Sequence, residues 1–294
     1  MLFDCAFFVA TGVAQTISTQ WIFYNGSSTR FAFFTVLANY LGMFCFIFIR
    51  RPPFPVNPWP IIAVSFVDFF AMSLNTVGIY YLGSAKYQLV YSSVVVFTAM
   101  FSRIFIGRKL RLRQWMSLFL IVFGLAVSST PRKEPVSFVG LGFTACGTIM
   151  FALEYVMHEF FLKNVQPEQM GVYMGMFSGI WTFIYINVYA LRNVEGVTVK
   201  LDQTAYVLYL VLILGSLGHS WSYFRLVKGV GATYVGILQA VRAISVFFAS
   251  SLLFCAADAL QCFTSLKFVS SMIVVTGVIL FALPPKAAMK ETLP

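Results

Sequence analysis

Arg242 stands ten residues inside an apolar run from Ala232 to Phe254, with Gln239 one helical turn before it on the same face. A charged side chain at a bilayer midplane costs about 2.5–3.5 kcal/mol by insertion scales, so it needs a reason to be there. Two readings supply one. The guanidinium either anchors a substrate carboxylate or phosphate, which its planar fork grips at two points, or pairs across a helix bundle with Glu154 or Asp68. Glu154 and His158 lie four residues apart midway through Phe138–Leu162, hence on one face, with Tyr155 between them. A carboxyl group and an imidazole side by side can pass a proton, which suits proton coupling. The plainer reading is that Glu154 neutralises Arg242.

A second polar stripe runs through Gln88, Tyr91, Ser92, Val95, Thr98 and Ser102 at steps of three and four residues. Asp68 and Asn75 share a face seven residues apart, and His219 and Tyr223 do so four apart. Interhelical hydrogen bonding explains any one of these alone, but together they suggest the lining of a cavity. The substrate-site candidates are therefore Arg242, Gln239, Tyr91, Ser92, Gln88, Asp68, Asn75, Tyr155 and Tyr223, with Glu154 and His158 for proton coupling or charge pairing. No Walker loop, zinc-ligand spacing or nucleophile elbow is present, so neither an enzyme nor a metal site nor a cofactor is expected. A channel would call for a filter loop or a ring of like residues, and neither is seen.

The elements that must position these residues are membrane helices. Hydrophobic residues are 60% of the 294-residue chain and charged residues 10%, far below the roughly 25% of a soluble domain. Ten apolar stretches stand out, near Leu2–Ile22, Phe31–Ile49, Pro60–Leu82, Lys86–Ile106, Trp115–Ser128, Phe138–Leu162, Met170–Leu191, Ala205–Leu226, Ala232–Phe254 and Phe263–Leu283. A span needs about 20 mostly apolar residues, and runs this continuous are not the alternating segments of a barrel. The expectation is an all-α integral membrane protein of ten transmembrane helices, a single membrane domain over 1–294. Met1–Ile22 lacks a basic n-region and reads as the first span rather than a signal peptide.

An internal repeat organises the ten. Ser84-Ala85-Lys86-Tyr87 aligns with Gly231-Ala232-Thr233-Tyr234 at an offset of 147, which sets Ser92 on Gln239 and Val95 on Arg242. Five spans per half, 1–130 and 137–285, is an odd number, so the expected halves are inverted relative to each other. That architecture suits alternating access to a central site.

The net charge of +10 is distributed as in a membrane protein rather than a nucleic-acid binder. With the N-terminus cytoplasmic, the cytoplasmic loops carry Arg50, Arg51, Arg108, Lys109, Arg111, Arg113, Lys163, Arg225, Lys228, Lys286 and Lys290. The other side carries Arg30, Lys86, Arg132, Lys133, Arg192, Lys200 and Lys267. Eleven against seven favours both termini inside. Cys255 and Cys262 bracket the last turn on the far side and could form a disulfide, with two free thiols as the expected state. Gly171, Gly175 and Gly179 form a small-residue ridge for close helix packing or a homodimer.

Tyr87-Gln88-Leu89, Val94 through Ser102, Ile106-Gly107-Arg108-Lys109-Leu110, Gln114-Trp115 and Gly124 resemble the drug/metabolite transporter superfamily. Glu154 through Glu159 with Lys163-Asn164-Val165, and Leu238-Gln239-Ala240-Val241-Arg242, resemble the F subfamily of solute carrier family 35, near the chloroquine-resistance transporters. The resemblance implies a central cavity framed by the third, fourth, eighth and ninth helices and reached by the first and sixth. It also implies an endomembrane location and nucleotide sugars, amino acids, peptides or other metabolites as solutes. Where that branch carries Leu-Arg-Gly, this chain has Val90-Tyr91-Ser92, which removes a fixed cation. The function expected is secondary active transport of small polar metabolites by alternating access, in contact with lipid and solute and not with nucleic acid. A non-transporting receptor or scaffold on the same fold is the alternative.

Overall fold

The computed structural model describes residues 2–49, 51–53, 57–128, 137–193 and 202–282, all of it helix and short connection. Arg50, Arg132, Lys133, Lys200, Lys286 and Lys290, used above to orient the chain, lie outside the described residues. The helices are α1 (Leu2–Tyr24), α2 (Phe34–Phe44), α3 (Phe46–Ile49), α4 (Trp59–Tyr91), α5 (Val94–Phe105), α6 (Leu112–Ser128) and α7 (Phe138–Phe161). They continue as α8 (Pro167–Tyr185), α9 (Leu191–Asn193), α10 (Gln203–Val230), α11 (Ala232–Phe254) and α12 (Ser265–Ala282). A π-helical turn, Ile186–Ala190, joins α8 to α9, and a 3-10 turn, Ala259–Gln261, precedes α12.

The expected ten spans and their two inverted five-helix halves are corrected here. Among the described residues six helices are long and apolar enough to cross a bilayer: α1, α4, α7, Pro167–Asn193, α10 and α11. Four apolar helices are shorter, Phe34–Ile49, Val94–Phe105, Leu112–Gly124 and Ser265–Phe281. Apolar content runs on through backbone breaks that a hydropathy count does not register. Cys45 interrupts the second stretch, and the Ser92–Ser93 turn cuts the fourth into the end of α4 and α5. There Ser92 N–H donates to the Gln88 carbonyl and Ser93 N–H to that of Val90.

Local chemistry starts and stops the longer elements. Ser137 caps α7 by accepting from Gly140 N–H, and Asp202 caps α10 by accepting from Ala205 N–H. Proline opens α4 and α8, where its missing N–H is no loss. Gly83 (φ 70°, ψ 162°) breaks α4, and Gly231 (φ 91°, ψ 163°) separates α10 from α11. Both lie in the positive-φ region that glycine tolerates.

Contacts along α7 show what the break at Gly83 does. Gly140 packs on Tyr81 and Leu82, Gly78 on Thr144, and Gly147 on Asn75 and Ala71, so the first part of α4 runs antiparallel to α7. Beyond Gly83 the chain returns alongside α7: Tyr91 meets Tyr155, and Arg108 meets Glu159. Asp68 and Tyr91 are thereby brought to the level of Glu154 and Tyr155.

The Gly171–Gly175–Gly179 ridge is used inside the chain. A β-carbon on Gly175 would sit 2.5 Å from the Phe44 backbone nitrogen, and one on Gly171 would sit 3.2 Å from the Phe46 ring. Cys255 and Cys262, expected as free thiols, are bridged, with Cα atoms 4.5 Å apart. Their seven-residue spacing is compatible with a bridge because the 3-10 turn folds the segment back on itself.

Candidate functional site

Helices α1, α2, α4, α7, α10 and α11 converge on a buried polar cavity of about 130 Å³. Its walls include Arg242, Asp68, Asn75, Tyr91, Tyr155 and Tyr223, together with Glu154 and His158. Three other sequence candidates stand behind this lining. Ser92 turns back to the Gln88 carbonyl (2.6 Å), Gln88 is buried with both amide atoms unpartnered, and Gln239 braces the wall from outside.

Arg242 occupies one side of the cavity, 7% exposed. One guanidinium nitrogen donates to Thr16 Oγ1 and another to Gln239 Oε1 at 3.3 Å, while Nε has no partner. No carboxylate lies within 4.0 Å of it among the described residues, so of its two readings the pairing with Glu154 or Asp68 is not the arrangement found. Gln239 relays the contact inward: its Nε2 donates to the Tyr155 hydroxyl at 2.9 Å, which is 3.0 Å from the Tyr91 hydroxyl. Phe151 edges onto the Tyr91 ring and fixes that end of the chain.

The acidic groups sit elsewhere on the wall and face each other. Asp68 and Glu154 are neighbours, and Ser178 Oγ donates to Asp68 Oδ2 at 2.8 Å. Glu154 Oε1 is 3.4 Å from His158 Nδ1, and Glu154 Oε2 is buried without a partner. His158 Nδ1 is also 2.9 Å from the Tyr223 hydroxyl. Since α7 presents Glu154 and His158 one turn apart, His158 reaches Tyr223 on α10 while Glu154 neighbours Asp68 on α4. The arrangement can hold an anionic group at Arg242 and exchange protons across the carboxyl–imidazole–phenol cluster.

The wall contributed by α1 was not among the sequence candidates. Gln15, Thr16 and Thr19 line the cavity, and Gln15 donates to Asn39 Oδ1 at 3.0 Å. The signal was present as polar residues at three- and four-residue steps, Thr11, Gln15, Thr16, Thr19 and Gln20, within an otherwise apolar segment. His219, noted with Tyr223, also lines the cavity. Its Nδ1 lies 3.0 Å from the Phe8 carbonyl, and its ring stacks on Phe8 with centroids 4.3 Å apart.

Polar clusters close the bundle at both ends of α7. Beyond Gly83, the buried Gln261 accepts from Ala85 N–H (3.3 Å) and donates to Asp258 Oδ2 (3.2 Å). Asp258 in turn accepts from the Tyr24 hydroxyl at 2.9 Å. At the other end Arg108 pairs with Glu159, whose Oε2 accepts from Ala232 N–H at 2.8 Å. Gly140 and Glu159, which mark these ends on α7, are about 28 Å apart at 1.5 Å per residue.

Residues 3–130 match the EamA-like transporter family. Solute carrier family 35 member F6 of Homo sapiens is 27% identical over 56% of this chain and 54% of its own length. The UDP-N-acetylglucosamine transporter of Homo sapiens is 24% identical over 72% of this chain and 66% of its own. An uncharacterized protein of Schizosaccharomyces pombe is 28% identical over 38% of this chain and 36% of its own. The matched segment thus spans from about a third to two thirds of these relatives. One solved crystal structure superimposes with a TM-score of 0.72 over 98% of this chain and 97% of that chain at 15% identity, a likeness of fold. The family matched over residues 3–130 is one of transporters. By these matches the chain is similar to EamA-like transporters over residues 3–130 and to members of solute carrier family 35 and nucleotide-sugar transporters over longer stretches.

Proposed function

We propose that the chain carries small polar organic solutes across its membrane by secondary active transport with alternating access. The observation that supports this most is Arg242, a buried guanidinium without a carboxylate partner on the wall of a central polar cavity. A cation left unneutralised at such depth is costly, and a solute anion that visits the cavity offsets that cost. The polar clusters at Gln261 and at Glu159 act as separate closures for the two sides. Either can break without disturbing the other. A cavity of about 130 Å³ holds roughly four waters, at about 30 Å³ each, and falls below the range of about 300–1,000 Å³ for open ligand sites.

Gln239, Gln88 and Ser92 support the wall in this reading, and Arg242, Asp68, Asn75, Tyr91, Tyr155 and Tyr223 meet the solute. The relatives' names suggest nucleotide sugars, while the missing fixed cation at Tyr91 leans toward amino-acid-type metabolites. Both termini cytoplasmic and an endomembrane residence accompany the reading.

Glu154 and His158 take and release the coupling proton. Glu154 faces His158 on its own helix, Asp68 on α4 and Tyr223 on α10, beside Tyr155 and Tyr91, with Tyr40 next to Asp68. The test uses purified protein in liposomes with labelled solutes on one side. Concentrative uptake is the expected result, and no flux of any solute through folded protein overturns the proposal. Glu154→Gln should keep solute-for-solute counterflow and lose accumulation driven by a pH gradient. An unchanged pH dependence in that variant removes the proton role.

A further inference from the structure

The cavity has two poles of opposite charge, and they are not paired with each other. At one pole Arg242 is held by Thr16 and by Gln239 Oε1, with Nε unsatisfied. At the other, Asp68 and Glu154 face one another, and Glu154 Oε2 is buried and unsatisfied. Each pole thus presents an atom that lacks a partner, in side chains at least nine-tenths buried. Arg242 is the one lysine or arginine in the lining among the described residues, and apart from Asp68 and Glu154 the remaining walls are hydroxyl, amide, imidazole and aromatic groups with Met43, Met72 and Ile79.

Charge complementarity separates the solute classes. A solute with two or more negative charges, such as a nucleoside diphosphate, would have one cation to meet them and two carboxyl groups in the same small space. Like charges brought together in a poorly screened cavity repel strongly. A simple organic cation would satisfy the carboxyl pole and leave Arg242 unmatched. A solute with one carboxylate and one ammonium meets both poles at once, and adds no net charge to a buried site.

We infer that the cavity binds a zwitterion of the amino-acid type, its carboxylate on Arg242 and Thr16 and its ammonium on Glu154 and Asp68. This rests on reading the cavity as the solute site, and it narrows that reading to a chemical class. Tyr155 sits between the poles, bonded through Gln239 to the first and adjacent in sequence to Glu154. It faces the middle of the bound solute.

The test is a thermal-denaturation screen of the purified full chain with the series glycine, β-alanine, 4-aminobutanoate and 6-aminohexanoate, which separates carboxylate and ammonium by increasing lengths. Propanoate, propylamine and a nucleoside diphosphate sugar serve as comparisons, and liposome flux is measured for each. At least one zwitterion should stabilise the protein where propanoate and propylamine do not. Arg242→Lys and Asp68→Asn should each weaken that binding about tenfold or more, the scale of one charge-assisted hydrogen bond. Two variants at opposite poles are used so that misfolding of one leaves the other informative. Stabilisation by the nucleoside diphosphate sugar alone, equal response to propanoate, or no response to any zwitterion overturns the inference. Zwitterion binding without flux would keep it and remove the transport function. Flux of the nucleoside diphosphate sugar alone would do the reverse.

Discussion

Gly12 on α1 packs against the Arg242 side chain, and Gly12→Ala tests whether that cation must be held in place. A β-carbon there would lie 2.9 Å from Arg242 Nε, 2.9 Å from His219 Cε1 and 3.0 Å from Arg242 Cδ. Ordinary contact begins near 3.4 Å, so both neighbours must draw apart from it by roughly 0.5 Å. His219 is held by the Phe8 carbonyl and stacked on the Phe8 ring, so the flexible Arg242 stem moves the more freely of the two. That movement draws the guanidinium off Thr16 or Gln239. Losing one hydrogen bond to a charged group costs about 1.5–3 kcal/mol, or about 10- to 150-fold in solute affinity. Stability should move the other way or hardly at all, since alanine for glycine inside a helix gains about 1 kcal/mol. The assay is the half-saturating concentration for uptake into liposomes, with the denaturation temperature of the same preparation. Wild-type half-saturation with the alanine in place would refute the reasoning. So would a denaturation temperature lowered by about 10 °C or more, which would make the contact structural.

Arg242→Met strands no carboxylate, so its denaturation temperature should stay within a few degrees while uptake falls by about tenfold or more, both measured on one preparation. A large fall in stability would restore a structural role for the arginine. Gly42→Ala would drive a β-carbon into the Ile213 carbonyl oxygen of α10, prising α2 from α10. It should destabilise by about 1–3 kcal/mol in thermal denaturation. Replacing Cys255 and Cys262 together with serine should cost about 2 kcal/mol or less for so short a loop. It should also loosen Gln261, seen as faster maleimide labelling of a Ser84→Cys reporter.

The membrane class and most of the cavity wall were legible because polarity inside an apolar run is costly and conspicuous. Arg242, Glu154, His158, Asp68 and Tyr223 stand out for that reason, and the helices bring all five to one space. The number of long helices was not legible, since a window of hydropathy is blind to a two-residue turn such as Ser92–Ser93 or to the interruption at Cys45. The alternatives for Arg242 were likewise beyond the sequence. Whether a guanidinium finds a carboxylate or a threonine hydroxyl depends on a few ångströms of helix placement. Ser92 and Gln239 show the same limit from the other side: both lie in polar stripes, yet they turn toward backbone and neighbouring side chains behind the wall. The α1 contribution was hidden by its position, because a hydrophobic N-terminal segment invites the question of signal or span before the question of which face is polar.

The hydrogen bond from Arg242 to Thr16 joins residues 226 apart in sequence, and this has a consequence for how the protein is made. Thr16 is made well before Arg242 and must wait in the membrane until that partner has been synthesised. Meanwhile α11 has to enter the bilayer carrying its arginine. Its window has a mean hydropathy of 1.8, the highest of the six long helices, and the surrounding apolar residues thereby offset the insertion cost of the charge. The proposed solute site is therefore incomplete in a nascent chain until α11 has been inserted. Quality control that senses exposed polar groups in the membrane would see an unfinished α1 until Arg242 arrives.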